Sequence, residues 1–260
     1  MDDANIVPRL YIKSRGEQTT KLALQLTCAP RKCVVRITGG CGSMSEADAE
    51  GMQELYARAF VGYDGAMLFG GTRMLRQDDP SAVVPGITEI PPRLRQLCRD
   101  MVLLGVIPKT QDIRLTDTGM IVSAEEGKPY FTVVHPTQDV VLVVQVSPDD
   151  PEIWDAEYHE CLRITEDLRG YAGFTSVLVS YNGGTVTRRE ILATADRDWP
   201  VILIRGSGRV TDELAADRTF LAAHRNIAVA DKEPDALRRA LADLGIVPEA
   251  RLALVGRRQA

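Results

Sequence analysis

PVILIRGSGRVTDELA, from Pro200 to Ala215, sets a short apolar run against Gly-Ser-Gly-Arg and then a stretch of helical character. Val201 to Ile204 reads as a buried strand, and the residues after it read as an exit loop and the next helix. A plain turn needs fewer glycines than this one holds. The same grammar recurs along the chain. Cys33 to Ile37 (CVVRI) is an apolar strand, Thr38 to Ser43 (TGGCGS) its exit loop, and Ser45 to Phe60 a helix, with Ser43 and Glu46 at capping-box spacing near its start. Ala66 to Phe69 (AMLF) stops at Gly70-Gly71-Thr72, and Ser176 to Ser180 (SVLVS) at Asn182-Gly183-Gly184-Thr185 before a helix from about Thr187.

Strand-sized apolar runs alternating with amphipathic stretches define an α/β chain, a mainly parallel sheet flanked by helices. Met101 to Ile107 and Ile227 to Ala230 supply further strands, and Pro91 to Asp100, Pro151 to Gly170 and Pro234 to Gly245 further helices. Between Thr116 and Ser147 the text changes to short β-rich pieces, ending in Val140 to Val146 (VVLVVQV), which read as an antiparallel excursion or inserted hairpin. With no clear linker, residues 1–250 are expected to form a single domain, and residues 251–260 a C-terminal tail.

With 31 Lys plus Arg against 36 Asp plus Glu, the net charge of -5 argues against a nucleic-acid partner. The longest apolar runs fall well short of the roughly 20 residues that cross a bilayer, so no membrane span is expected. The first residues carry acids and no apolar signal-peptide core, and the expected location is cytoplasmic. Five scattered cysteines form no CxxC pair and read as reduced thiols. His135, His159 and His224 lack ligand spacing, so no metal site is expected.

In an open parallel sheet the ligand crevice lies outside the carboxyl ends of the strands. All four glycine loops belong to that edge, where glycine lets backbone N–H groups approach an anion and helix N-termini favour phosphate. Neither GxGxxG nor GxxxxGK[ST] occurs, which speaks against dinucleotide redox chemistry and P-loop NTPase activity. Arg209 can grip phosphate oxygens with its fork or pair with Asp212 or Glu213. Ser207 can donate to phosphate or cap the helix, and Thr72 and Thr187 carry the same two readings.

VILIRGSGRVTDELA resembles the strand, GSGR turn and helix in the N-terminal homology region of TRPM-family cation channels. NGGTVTRRE (Asn182 to Glu190) is similar to the Gly-Gly motif that precedes it there, and TGGCGSM to the opening Gly-Gly segment. The chain thereby resembles the SLOG superfamily, in particular the prokaryotic, channel-free TRPM-like (LSDAT) proteins, relatives of the LOG phosphoribohydrolases. The resemblance implies a Rossmann-like fold and binding of a nucleotide-derived ligand such as ADP-ribose or NAD. The ligand-binding residues would be Gly39, Gly40, Gly42, Ser43, Gly70, Gly71, Thr72, Gly183, Gly184, Thr185, Thr187, Gly206, Ser207, Gly208 and Arg209. Against the LOG hallmark PGGxGTxxE the two glycines, the threonine and Glu190 match, while Asn182 replaces the proline and Val186 the third glycine. A β-branched residue takes positive φ poorly, and these two departures favour a ligand sensor over an enzyme. The alternative is N-glycosidic cleavage of a nucleoside 5'-monophosphate, with Glu190 stabilising charge on the ribose and Arg188 or Arg209 holding the phosphate. The expected partners are a small-molecule nucleotide, an effector protein and further copies of the chain, and no separate cofactor is expected.

Overall fold

The computed structural model of the 260-residue chain describes residues 9–14, 29–40, 44–109, 114–116, 119–123, 129–146 and 155–249. Its first half runs β1 (Arg9–Ser14), β2 (Cys33–Gly39), α1 (Glu46–Ala59), β3 (Ala66–Gly70), β4 (Thr72–Arg76), a 3-10 turn (Ile87–Glu89), α2 (Ile90–Leu97), β5 (Val102–Lys109), β6 (Arg114–Thr116), β7 (Gly119–Ser123), β8 (Tyr130–Val134) and β9 (Val140–Gln145). The second half follows as α3 (Asp155–Ala172), β10 (Thr175–Tyr181), α4 (Thr185–Ala195), β11 (Val201–Arg205), α5 (Arg209–Ala216), α6 (Arg218–Ala223), β12 (Ile227–Asp231) and α7 (Pro234–Asp243).

Eight of these strands form one parallel sheet in the order β1-β9-β5-β3-β2-β10-β11-β12. Its central strands are buried on both faces, which is why they read as unbroken apolar runs. Alternate residues serve opposite layers. Val35, Ile37, Val177, Val179 and Ile202 pack with Met52 and Leu55 of α1, Leu94 of α2 and Leu237 of α7. On the other side, Val34, Leu68 and Leu104 pack with Ile164 and Leu168 of α3, and Leu178 and Leu203 with Ile191 of α4 and Leu214 of α5. The result is the Rossmann-like three-layer arrangement expected from the sequence.

The β-rich excursion is present with different membership. A second sheet, antiparallel and ordered β4-β8-β7-β6, recruits Thr72–Arg76 from upstream of residue 116. Val140–Gln145 leaves the excursion and enters the parallel sheet between β1 and β5, because Val140 to Val144 are buried throughout and fit only a strand covered on both faces. Strand β1, of sequence RLYIKS, was not anticipated. The α1 cap also differs: Ser45, not Ser43, accepts from the Asp48 amide at 3.1 Å, while Ser43 lies outside the described residues. Residues 251–260 likewise lie outside them.

Gly71 is the corner where the chain leaves the parallel sheet for the antiparallel one. A Cβ there would stand 2.7 Å from the Gly105 Cα and 2.9 Å from Gln138 Oε1. Its carbonyl accepts from the His135 amide at 2.9 Å and from Gln138 Nε2 at 2.9 Å.

The strand read as CVVRI hides a charge in the layer shared with α4. Arg36 is 2% exposed, and its guanidinium donates to Glu190 Oε1 at 3.3 Å and to Thr194 Oγ1 at 2.6 Å. Removing one member of a buried pair strands the other in a low-dielectric layer. Arg36→Ala is therefore expected to destabilise the fold by about 3–5 kcal/mol, read by denaturant titration; a loss under about 1 kcal/mol would contradict the burial argument.

Candidate functional site

The strand order reverses direction at β2 and β10. From β2 the chain proceeds to β3 on one side, and from β10 to β11 on the other, which makes the β2/β10 boundary a topological switch point. Gly39 and Gly40 end β2 there, and Asn182 to Gly184 follow β10, paired with β2 through Tyr181↔Gly39. A Cβ on Gly39 would collide with the Tyr181 carbonyl, so glycine is what lets the two strand ends meet.

The Asn182-Gly183-Gly184 turn takes positive φ at Asn182 (60°) and Gly183 (95°). Asparagine tolerates that region better than most residues with a side chain, which accounts for its place where LOG proteins carry proline. Helix α4 then opens at Gly184, which has no side chain to cap it, and its first turn closes when the Arg188 amide donates to the Gly184 carbonyl at 3.0 Å. The amides at the start of this helix thus have no capping side chain. Val186 sits in the helical first turn and is 38% exposed, so the objection from positive φ does not apply to it. Thr187 packs its side chain against Gly183 and is buried.

The Gly206-Ser207-Gly208-Arg209 loop is organised by its own helix. Asp212 accepts from the Gly206 amide at 2.7 Å and the Gly208 amide at 3.0 Å, filling the concavity those glycines create. Ser207 Oγ accepts from the Asn182 amide at 2.9 Å, and the Asn182 carbonyl accepts from Thr211 Oγ1 at 2.5 Å. Ser207 and Thr211 therefore brace the neighbouring turn, while the two glycine amides are taken by Asp212. Arg209, at φ 48°, sends its guanidinium across to that turn. Its Nη1 lies 3.6 Å from where a Gly40 Cβ would stand, and its Nη2 3.0 Å from that of Gly184. Asp212 is engaged with the loop amides and Glu213 pairs with Arg188, so neither is the partner of Arg209.

The structure thus gathers Gly40, Gly183, Gly184, Thr185 and Arg209 at one edge. Gly70 ends the next strand, and the space its missing side chain leaves holds the Glu157 carboxyl, whose Oε1 lies 2.6 Å from the Cβ position. Gly71 and Thr72 lead away into β4, Arg188 pairs with Glu213 on the outer flank, and Gly42 and Ser43 lie outside the described residues.

In the layer between β2 and α4, burial pushes the Glu190 carboxyl up against the opposing pull of Arg36 and Thr38. Glu157, on the first turn of α3, is pushed up to about 8 by burial and by the neighbouring Glu190. Glu190 was a sequence candidate, but Glu157 was not: it sits in an acid-rich helix start with nothing in its local text to separate it from a surface acid. Asp155 and Arg189 tie the same two helices together by a buried-carboxylate ion pair. Chemically, the edge offers a helix start without a side-chain cap and a guanidinium, and the next strand end holds a carboxyl pushed up to about 8.

Fold and edge define a Rossmann-like α/β protein with glycine turns meeting at the switch point of its sheet. The family described as LSDAT_prok, SLOG in TRPM, prokaryote, matches residues 86–244, and the chain belongs to that family. No curated protein matches. Among solved structures, the chain is similar to a molybdenum cofactor binding protein from the phototrophic bacterium Rippkaea orientalis, at 16% identity and a TM-score of 0.50 over 83% of this chain and 99% of that one. It is also similar to the molybdenum cofactor carrier protein of Chlamydomonas reinhardtii, at 15% identity and a TM-score of 0.49 over 82% and 98% of the two chains. At such identities the likeness is one of fold. Among the described residues no helix is long and apolar enough to cross a membrane.

A carboxyl whose folded pKa is raised keeps its proton to higher pH than in the unfolded chain, so stability falls as pH rises from the ordinary carboxylate range toward about 8. Glu157→Gln removes that slope. Thermal melts are expected to coincide at about pH 4, with the variant melting higher at about pH 8.5; an equal offset at both would contradict the assignment.

Proposed function

We propose that the chain binds a nucleotide-derived ligand, ADP-ribose, NAD or a close relative, by its phosphates at the β2/β10 switch point. The observation that carries this reading is the Arg209 guanidinium, held over Gly40 and Gly184 beside the uncapped start of α4. A helix start favours an anion by about 0.3–1 kcal/mol when exposed and up to about 2 when partly buried. A charge-assisted bond from Arg209 adds about 1.5–3 kcal/mol, and its fork suits two phosphate oxygens at once. Asn182 Oδ1, buried and without a hydrogen-bond partner among the described residues, supplies an acceptor for a ligand hydroxyl or amide. The molybdenum cofactor, named for one fold neighbour, joins the compounds to be tried.

Binding serves as a signal only if it favours one of two states of the chain or its assembly, and an effector protein or a further copy of the chain is the proposed reader. A second reading, N-glycosidic cleavage of a nucleoside monophosphate, is favoured by one feature: Glu157, proton-bearing at neutral pH, lies beside the carboxylate of Glu190. Arg36 already engages Glu190, and Glu213 already engages Arg188, which weighs toward binding.

Calorimetric titration with ADP-ribose is expected to give saturable binding that Arg209→Ala weakens about tenfold or more while the melting profile stays unchanged. Equal affinity in parent and variant would contradict the phosphate assignment. Incubation with AMP separates the readings: accumulation of free adenine, lost in Glu190→Gln, would favour the enzyme.

A further inference from the structure

Of the acids packed at the starts of α3 and α4, one has no cation beside it among the described residues. Asp155 meets Arg189, Glu190 meets Arg36, and Glu160 meets Arg163. The Glu157 carboxyl has neither a hydrogen bond nor an ion pair among the described residues, and its charged neighbour is a second acid, Glu190. It lies against backbone, with Oε1 2.6 Å and Oε2 2.8 Å from where a Gly70 Cβ would stand, and the residue is half-buried, not sealed. A desolvated carboxyl without a partner destabilises the fold, and such groups gather where a ligand offsets the loss.

Its place ties it to the phosphate edge. Strands β2 and β3 are neighbours, and the register Arg36↔Leu68, carried two residues on, sets Gly70 beside Thr38. Alternate positions share one face of the sheet: Arg36 reaches α4, the open side of Gly40 faces Gly183 and the Arg209 guanidinium, Leu68 packs on α3, and the open side of Gly70 holds Glu157. Gly40 and Gly70 therefore open to the same layer, one strand apart and two residues apart along it, about 8 Å by ordinary sheet spacings. The two helix starts above them, α3 and α4, are joined by Asp155 and Arg189.

The chemistry follows from that separation. With a phosphate at Gly40, Gly184 and Arg209, the part of a nucleotide bonded directly to it is the sugar. A carboxyl beside a second acid offers a phosphate no cation, but its oxygens accept from sugar hydroxyls. With its own proton, retained because burial and Glu190 push it up to about 8, it donates as well. Acids take ribose hydroxyls in this way in dinucleotide-binding sheets. We propose that Glu157 is the sugar-binding residue of the switch-point site: its carboxyl takes a ribose hydroxyl of the ligand whose phosphate Arg209 holds. The inference rests on the nucleotide reading above, and the two fail differently.

The test titrates the full chain calorimetrically with ADP-ribose, ribose 5-phosphate and inorganic phosphate, the last of which lacks both sugar and base. The parent is expected to prefer ribose 5-phosphate to phosphate by about tenfold, and Glu157→Ala to erase that preference while binding phosphate within about twofold of the parent. The isosteric Glu157→Gln, whose amide still meets a hydroxyl, keeps part of the preference, and Arg209→Ala weakens both ligands without changing their ratio. If Glu157→Ala keeps the parent's ratio, or lowers the two ligands in parallel, the sugar assignment is wrong and the phosphate site stands. A parent that binds ADP-ribose without preferring ribose 5-phosphate to phosphate contradicts the sugar assignment alone. Binding of none of the three overturns both readings.

Discussion

The parallel pairing of β2 with β10, Cys33↔Thr175 through Gly39↔Tyr181, is the constraint on which the rest depends. It joins strands from distant parts of the sequence and brings two glycine turns edge to edge where the sheet changes direction. Glycine at position 39 permits that closeness, since any side chain would meet the Tyr181 carbonyl. The pairing also fixes the layer behind it. Arg36, three residues before Gly39, reaches Glu190 and Thr194 on α4, so the helix with the uncapped start is anchored to β2.

The glycine loops divide their work unequally. In the GSGR loop the freed amides receive the carboxylate of Asp212, and Ser207 holds the Asn182 amide; the loop is a brace, and its contribution to the crevice is the arginine it projects. The Asn182 turn gives a helix start without a capping side chain. Gly70 makes room for an acid, and Gly71 for the close approach of Gly105. One local text, strand then glycine, thus yields a brace, an uncapped helix start, a carboxyl pocket and a corner, according to what each missing Cβ faces.

Much of this was legible in the sequence because short-range patterns carry it. Apolar runs buried on both faces announce parallel strands, and Val201 to Ile204, Ser176 to Ser180 and Cys33 to Ile37 all read as the strands they are. What escaped depends on partners remote in the chain. Val140 to Gln145 looked like the end of the β-rich excursion, but its place is set by β1 and β5 on either side. Arg36 was invisible inside an apolar strand, because its meaning lies in Glu190. The sequence left Asp212 and Glu213 open as partners for Arg209, but the Asp212 carboxylate turns back to the loop amides and Glu213 pairs with Arg188. His135 carried no ligand spacing, and its place beside Glu89, which Arg73 grips, emerges only where α1, α2 and the antiparallel sheet enclose a cleft.

The most direct measurement is the response of backbone amide resonances to ADP-ribose. Gly40, Gly183, Gly184, Thr185 and Val186 are expected to shift together and to saturate on one curve, since their N–H groups would meet the phosphates at the strand edge and the first turn of α4. Saturating shifts confined to other elements, with these amides unmoved, would contradict the switch-point site.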